Sequence, residues 1–396
     1  MNRLIANTMT CTLIGLLSMP TMAQNAAKKP AISPRGQCLP TANGGSERGR
    51  QPQPFMPGSL QSFRNQSLRL IVHTSAGGTK VRIKISNTFG DHPLLIGGAH
   101  IARRTAAADI DPTSDRTLMF HGRSSTTVPA RSMVVSDPAE LDVPALSDLA
   151  ISLFLPKTTE ATTLHILAMQ TSYVSSDTGD STADVKFPVA KTIRSWPFLT
   201  GVDVAASAHG AAIVAFGSSL TDGDGSTLDT KRRWPDVLAE RLQKGADGMT
   251  EVGVLNQGII GNRLLDDSPR RARSPFGAAL GQAGLARFKR DVLAQAGVGY
   301  VIVGLGINDI VFPGSLTPLT ERMNAESMIS GLRRTPRTSV KMAALAPMPS
   351  ASVSTTATAS PWVRASERTA TLRSLTNDII LLFLPGSPFS KRWKQP

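Results

Sequence analysis

Three polar segments, each following an apolar run, carry the residues that could do chemistry in this chain. The first is Gly217-Ser218-Ser219-Leu220-Thr221-Asp222-Gly223. A serine on a tight turn between a strand and a helix can present its hydroxyl as a nucleophile, and a helix N-terminus behind it favours developing negative charge. The segment is not the G-x-S-x-G elbow of the α/β-hydrolases, because Thr221 stands where the last glycine would be. Taken alone, it is also an ordinary Ser/Gly turn in which Asp222 or Thr221 bonds the backbone. The second segment is Asn256-Gln257-Gly258-Ile259-Ile260-Gly261-Asn262-Arg263. A glycine here lets a backbone N–H approach a ligand closely, or simply makes a turn. The third is Gly306-Ile307-Asn308-Asp309, where an Asn amide is a donor that can bind an oxyanion. Gly304-Leu305-Gly306 begins a dinucleotide fingerprint, but Asp309 occupies the place of its third glycine. The acidic run Asp222-Gly223-Asp224-Gly225 lacks the spacing and final Glu of a calcium loop.

Together, in order and spacing, the segments resemble the SGNH hydrolases, also called the GDSL esterase family. The family's first block, G-D-S-x-T-D-G, matches 217–223, with Ser218 where Asp is usual. Its second-block glycine matches Gly261, and its third block, G-x-N-D, matches 306–309. The resemblance covers 210–331. It implies a flavodoxin-like three-layer fold and hydrolysis of carboxylic esters through an acyl-enzyme. Ser219 would be the nucleophile. The oxyanion hole would use the backbone N–H of Ser219, that of Gly261 and the side-chain amide of Asn308. No metal or organic cofactor is implied. The substrate would be a small-molecule, carbohydrate or lipid ester, with acetylated sugars, short acyl esters and lysophospholipids all suiting the family.

One block is missing. The family carries a D-x-x-H near its C-terminal end, whose His takes the serine proton. All six histidines here (His73, His92, His100, His121, His165 and His209) precede Ser219, and beyond 331 the only acids are Glu367 and Asp378. His209 starts the strand whose far end carries Ser219. Ten extended residues at ~3.3 Å each put it roughly 20–30 Å away. The other five lie in the preceding β-rich stretch and reach the cleft only if that stretch packs over it. Serine without a base is a poor nucleophile at neutral pH. Two explanations stand: a degenerate relative that binds without cleaving, or a change of reading frame near 333. The second is favoured, because acids vanish, Ser/Thr/Ala/Arg/Pro rise and the family pattern stops at one place.

The elements that must position these segments follow from periodicity. An apolar strand at 211–216 precedes the first block, one at 252–255 the second and one at 300–303 the third. Helices are expected at 234–242, with Trp234, Leu238 and Leu242 on one face and Pro235 in the first turn, at 276–295 with Leu280, Leu285, Phe288 and Val292 on one face, and at 319–332. Alternating strands and helices indicate a parallel sheet covered on both faces. Residues 60–205 read differently, as strand-like runs at 68–73, 80–85, 94–101, 132–135, 149–155 and 164–170 separated by turns. We read this region as a β-sandwich or jelly-roll domain, of a texture similar to the β-rich domain preceding the hydrolase in a secreted subgroup of the family. After 332 comes a basic Ser/Thr/Ala/Pro-rich tail, with short strand-like runs at 340–345 and 379–384. The expected fold is thus α/β, an SGNH domain incomplete at its C-terminal side behind a β-rich domain.

Composition narrows the class. The chain has 396 residues, 41% of them hydrophobic, enough for two cored domains. Its net charge is +14, of which residues 332–396, with ten Lys/Arg against two acids, hold +8. The body is only mildly basic and carries no nucleic-acid motif, so no nucleic-acid partner is expected. No apolar run reaches the ~20 residues of a membrane-spanning helix. Arg3, the apolar stretch 11–17 and Thr21-Met22-Ala23 have the pattern of a signal peptide cleaved after residue 23, so a secreted or periplasmic location is expected, with 24–60 as a linker. Of the two cysteines, Cys11 and Cys38, only the second would remain, which excludes an internal disulfide. Two rivals to the esterase keep their place: a non-catalytic secreted carbohydrate- or ligand-binding protein built on the β region, and a basic adhesin working through the tail.

Overall fold

The computed structural model describes residues 61–177, 179–206, 210–245, 250–267 and 277–321, together with the backbone of short strands at Arg35–Gln37, Pro52–Gln53, Met56–Pro57, Lys341–Ala344 and Ile380–Phe383. The expected signal peptide, most of the expected linker and most of the tail lie outside the described residues, while Arg35–Gln37 within that linker is a strand paired with Leu199–Ala205. Residues 33–396 cluster as one compact unit.

From 62 to 205 the chain is almost wholly strand and turn. One antiparallel sheet runs Arg35–Gln37, Leu199–Ala205, Gly78–Ser86, Met133–Val135, with Ala139–Val143 also paired to Gly78–Ser86. The other runs Val189–Ile193, Ser172–Ser175, Gln66–His73, Asp148–Leu155, Gly98–Arg103, Arg116–Thr117. In Gly78–Ser86 the period of two decides the faces: Val81, Ile83 and Ile85 are buried while Lys80, Arg82 and Lys84 are not. Those three meet Leu68, Leu70, Val72, Leu149, Ile151 and Leu153 of the other sheet in one hydrophobic cluster. The expected strand at 94–101 is two strands, Leu94–Ile96 and Gly98–Arg103, parted at Gly97. The expected strand at 164–170 is a strand only at Leu164–His165. Its remainder is irregular, and there Met169 O accepts from the Asp229 N–H at 3.1 Å and Gln170 Nε2 donates to Asp229 Oδ1 at 2.7 Å.

From 211 onward the sheet is mixed, not purely parallel as expected. Val252–Gly258, Ala211–Gly217 and Val298–Gly304 are parallel neighbours in that order. Ile380–Phe383 then pairs antiparallel with Val298–Gly304, and Lys341–Ala344 pairs antiparallel with Ile380–Phe383. Ala211–Gly217 is buried throughout, as a central strand requires.

The helix Trp234–Gln243 starts with Pro235 in its first turn and with the Arg233 N–H donating to Asp236 Oδ2 at 3.2 Å. Its buried stripe is Pro235, Ala239 and Leu242, one residue round from the expected face, with Trp234 and Leu238 half-buried. The continuous helix expected at 276–295 does not form. A 3-10 turn at Gly277–Leu280 is followed by Gly281 at φ +77°, the short helix Gly284–Phe288 and a π turn at Lys289–Leu293. The Asn262 side chain takes the carbonyls that a helix would use there, Nδ2 donating to Leu280 O at 3.0 Å and Gln282 O at 2.7 Å. Of the helix expected at 319–332, Leu319–Glu321 is a 3-10 turn and the rest lies outside the described residues.

The β-rich region touches the second sheet at several points. Ser75 Oγ donates to Val254 O at 3.1 Å and accepts from Val254 N at 2.8 Å. Asp229 accepts from the Thr171 N–H at 2.6 Å and from Gln170 Nε2 at 2.7 Å. Lys231 Nζ lies 2.6 Å from Asp148 Oδ2.

Candidate active site

The last residue of the central strand, Gly217, pairs with the last residue of each neighbour, Gly258 and Gly304. All three polar segments therefore leave the sheet at one level, at the carboxyl ends of parallel strands, where open α/β sheets place their ligands.

Hydrogen bonds tie the three loops to one another. The Ser218 N–H donates to Gly304 O at 3.1 Å, and the Ile259 N–H donates to Gly217 O at 3.1 Å. Asn256 Nδ2 donates to Thr221 O at 2.7 Å. Asn308 Nδ2 donates to Asn262 O at 2.9 Å. The Asp309 carboxylate accepts from the N–H groups of Leu264 at 2.7 Å and Leu265 at 3.1 Å. Burial pushes the Asp309 carboxyl above the usual carboxylate range; these two N–H bonds only partly oppose it.

Within the first block, Ser218 O accepts from the N–H groups of Thr221 and Asp222 at 3.0 and 2.9 Å. The helix Ser219–Asp222 is a single turn ended by Gly223. The helix expected behind the serine is this one turn, so little macrodipole is available there. The turn instead leaves donors unused. Among the described residues, neither the Ser219 N–H nor its Oγ has a hydrogen-bond partner, nor does the Gly261 N–H. Asn308, 8% exposed, uses one amide N–H on Asn262 and keeps the other. Gly261 holds φ +69°, where a Cβ would be strained and would also come within 2.6 Å of Leu280 Cδ2.

Two buried groups that the sequence reading did not single out organise these loops. Arg287 is fully buried, and its guanidinium joins the first segment to the second. Nε donates to Asn262 Oδ1 at 3.0 Å, Nη1 to Gln257 O at 2.9 Å and Nη2 to Gly217 O at 3.0 Å. It lies 4.1 Å from the Phe216 ring centroid and 3.2 Å from Asp291 Oδ2. Burial lowers its pKa to about 10 against the opposing pull of Asp291, so it remains a cation at neutral pH. The Arg287/Asp291 spacing of four was its only trace in the sequence.

The second group is His165. The β-rich region does bring a histidine to the first block, and it meets Asp222, not Ser219. His165 Nε2 is 2.8 Å from Asp222 Oδ1 and 3.0 Å from Leu167 O, with both side chains buried. Two acceptors on one ring nitrogen assign its proton to Nε2. Asp222 Oδ2 accepts from the Ile260 N–H at 2.7 Å, so both oxygens of the carboxylate from the acidic run are engaged within the protein. Among the described residues, no other histidine bonds these loops. His73 and His100 pair with Asp148 and Asp115, His92 and His121 are exposed, and His209 lies outside the described residues. A shallow hollow bordered by His73, Met169, Trp196, Lys231 and Arg233 has none of Ser219, Gly261 or Asn308 in its lining.

The GDSL-like lipase/acylhydrolase family profile matches residues 213–380. These residues are a GDSL-like acylhydrolase domain. The GDSL-like domain is that of ester-hydrolysing enzymes, and a β-rich region precedes it. Its match runs past residue 331, where the resemblance read from the blocks stops, yet the matched span holds no histidine. No curated protein sequence matches the chain. Similar solved structures include a family two carbohydrate esterase from Clostridium thermocellum in complex with cellohexaose, at 14% identity and TM-score 0.21, covering 74% of this chain and 73% of that one. A family two carbohydrate esterase from Cellvibrio japonicus has 12% identity and TM-score 0.18, covering 70% and 66%. An acetyl xylan esterase from the rumen bacterium Butyrivibrio proteoclasticus has 11% identity and TM-score 0.17, covering 78% and 74%. Likenesses at these scores carry no argument about substrate. No helix among the described residues is long and apolar enough to cross a membrane.

Proposed function

We propose that the chain is a secreted or periplasmic serine esterase in which Ser219 is the nucleophile. Its oxyanion hole is formed by the N–H groups of Ser219 and Gly261 and the side-chain amide of Asn308. Ser219 Oγ attacks the ester carbonyl carbon, and the carbonyl electron pair moves onto oxygen, where the three donors receive the charge. The Oγ proton passes to the leaving alkoxide as the C–O bond breaks. Water then attacks the acyl-enzyme, releasing the acid and restoring the hydroxyl. The observation that carries this reading is the level ending of three parallel strands beneath loops whose Ser219 and Gly261 N–H groups have no partner among the described residues. In this reading 60–205 is a β-sandwich or jelly-roll domain and 210–331 the core of a flavodoxin-like three-layer domain. The substrate is a small-molecule, carbohydrate or lipid ester.

The missing general base favours a second reading, a ligand-binding protein that retains the loops without turnover. Ser219 Oγ has no hydrogen-bonded base among the described residues, and no histidine follows it in the chain. A frame change near 333 loses one of its grounds, since the family profile runs on to residue 380, and now rests only on the loss of acids and the rise of Ser/Thr/Ala/Arg/Pro after 333. Resequencing the gene tests it, and an intact frame with no D-x-x-H encoded in either alternative frame removes the idea.

One pair of assays separates the two readings. The full chain and Ser219→Ala are given a short-chain chromogenic ester and a fluorophosphonate. Hydrolysis and labelling that vanish in the variant support the nucleophile. A folded chain no more reactive than the variant supports binding without cleavage.

A further inference from the structure

We propose that His165 is a positioning residue through which the β-rich region sets the nucleophile turn and the oxyanion loop of the hydrolase. The proposal rests on the reading of Ser219 as nucleophile.

Asp222 stands at the junction of the two blocks. Its N–H donates to Ser218 O at 2.9 Å, inside the turn that carries Ser219. Its Oδ2 accepts from the N–H of Ile260, the residue before Gly261, at 2.7 Å. One fully buried carboxylate thus links the nucleophile turn to the backbone that presents the Gly261 N–H. Such a carboxylate has few stable orientations, and its partners choose among them. Its Oδ1 has His165 Nε2 as partner, 57 residues earlier in the chain.

The His165 ring is itself held by the β-rich region. Its Nε2 also lies on Leu167 O. The ring stacks on Trp196 at 5.7 Å between centroids, and Trp196 Nε1 donates to Ile71 O at 2.9 Å in the strand Gln66–His73. The direction of the Nε2–H is therefore fixed by the β-sheet core and passed to Asp222. His165 does not serve as the base, since among the described residues no bond joins either of its ring nitrogens to Ser219. Without the imidazole, Asp222 keeps its Ile260 bond but loses the contact that orients it. Ile260 and Gly261 then gain freedom. Gln at 165 can restore an N–H near Nε2, which Ala cannot.

The test follows backbone amide exchange by NMR in the full chain for wild type, His165→Ala and His165→Gln, with fluorophosphonate labelling of Ser219 beside it. Loss of a charge-assisted hydrogen bond predicts Ile260 N–H exchange about tenfold or more faster in His165→Ala. Exchange in Gln66–His73 should stay near wild type, and His165→Gln should recover most of the Ile260 protection. Where wild type reacts, the labelling rate should follow the same order, with kcat on a chromogenic ester falling and KM nearly constant. Unchanged Ile260 exchange in a folded His165→Ala, or no recovery in His165→Gln, overturns the proposal. If His165→Ala loses its fold, the His165→Gln comparison with wild type decides alone, and faster Ile260 exchange there also overturns it. A Ser219→Ala protein that still labels sinks the nucleophile assignment and is a separate outcome, because the exchange readout does not use Ser219.

Discussion

At the scale of single residues, the proposed site is a set of donors held ready by geometry. Asn308 keeps a free N–H because its first is fixed on Asn262. Removing one oxyanion donor typically costs about 10²–10³ in rate. Asn308→Ala should lower kcat on a chromogenic ester by that order with little change in KM, or slow fluorophosphonate labelling equally. An unchanged rate removes Asn308 from the role. Gly261→Ala forces a Cβ onto a left-handed backbone, at a cost of about 1–2 kcal/mol. We expect a lowered urea midpoint together with lost reactivity, and wild-type reactivity in a stable Gly261→Ala would show that its N–H is not used. The three blocks were legible in the chain because each is local: a few residues of fixed type after a strand. His165 and Arg287 were not, because what defines them is a partner far away in sequence. Nothing around His165 distinguishes it from His73 or His100 until the fold sets Asp222 beside its ring.

At the scale of elements, the segment 277–293 shows how a good apolar period can mislead. Leu280, Phe288 and Val292 are buried as a helical face would place them. The helix itself is broken, because Asn262 takes two of its carbonyls and Gly281 turns the chain. The break lets Arg287 enter beneath the loops from the helix Gly284–Phe288. Arg287→Met would leave Gly217 O, Gln257 O and Asn262 Oδ1 without that donor. At about 1–3 kcal/mol for each buried group left unmatched, the loss should reach about 3 kcal/mol or more. A urea midpoint equal to wild type would mean that the loops re-pair without it. Strand positions were easier to read than this helix, since the fully apolar Ala211–Gly217 admits few alternatives between turn signals.

At the scale of the molecule, charge joins the β-rich region to the hydrolase loops. Burial opposes the charge on Asp148, but hydrogen bonds from His73 and Lys231, with the Lys231 charge, outweigh it and hold the carboxyl at about 2. A depressed carboxyl contributes stability above its ordinary value of 3.8 and loses it as pH falls toward 2. Lys231→Met should therefore be less stable than wild type at pH 5 and should converge on it near pH 2, by urea denaturation. A constant gap across that range would show that Lys231 acts through something other than Asp148. The change of texture near 210 was legible in the sequence, since strand periods give way to strand–helix alternation. The docking of the two regions was not, because it uses single side chains from loops that have no period.

The Ser75 hydroxyl bonded to both backbone groups of Val254 has a consequence for solubility. Val252–Gly258 is the outermost parallel strand, with Ala211–Gly217 on one side. The Val254 N–H and C=O point the other way, where an exposed edge invites pairing with another chain. Ser75 occupies that position as a third strand would, with one side chain and no ladder. A fragment beginning at residue 210 would present this edge bare. We expect it to self-associate with rising concentration in light scattering, while the full chain stays unchanged.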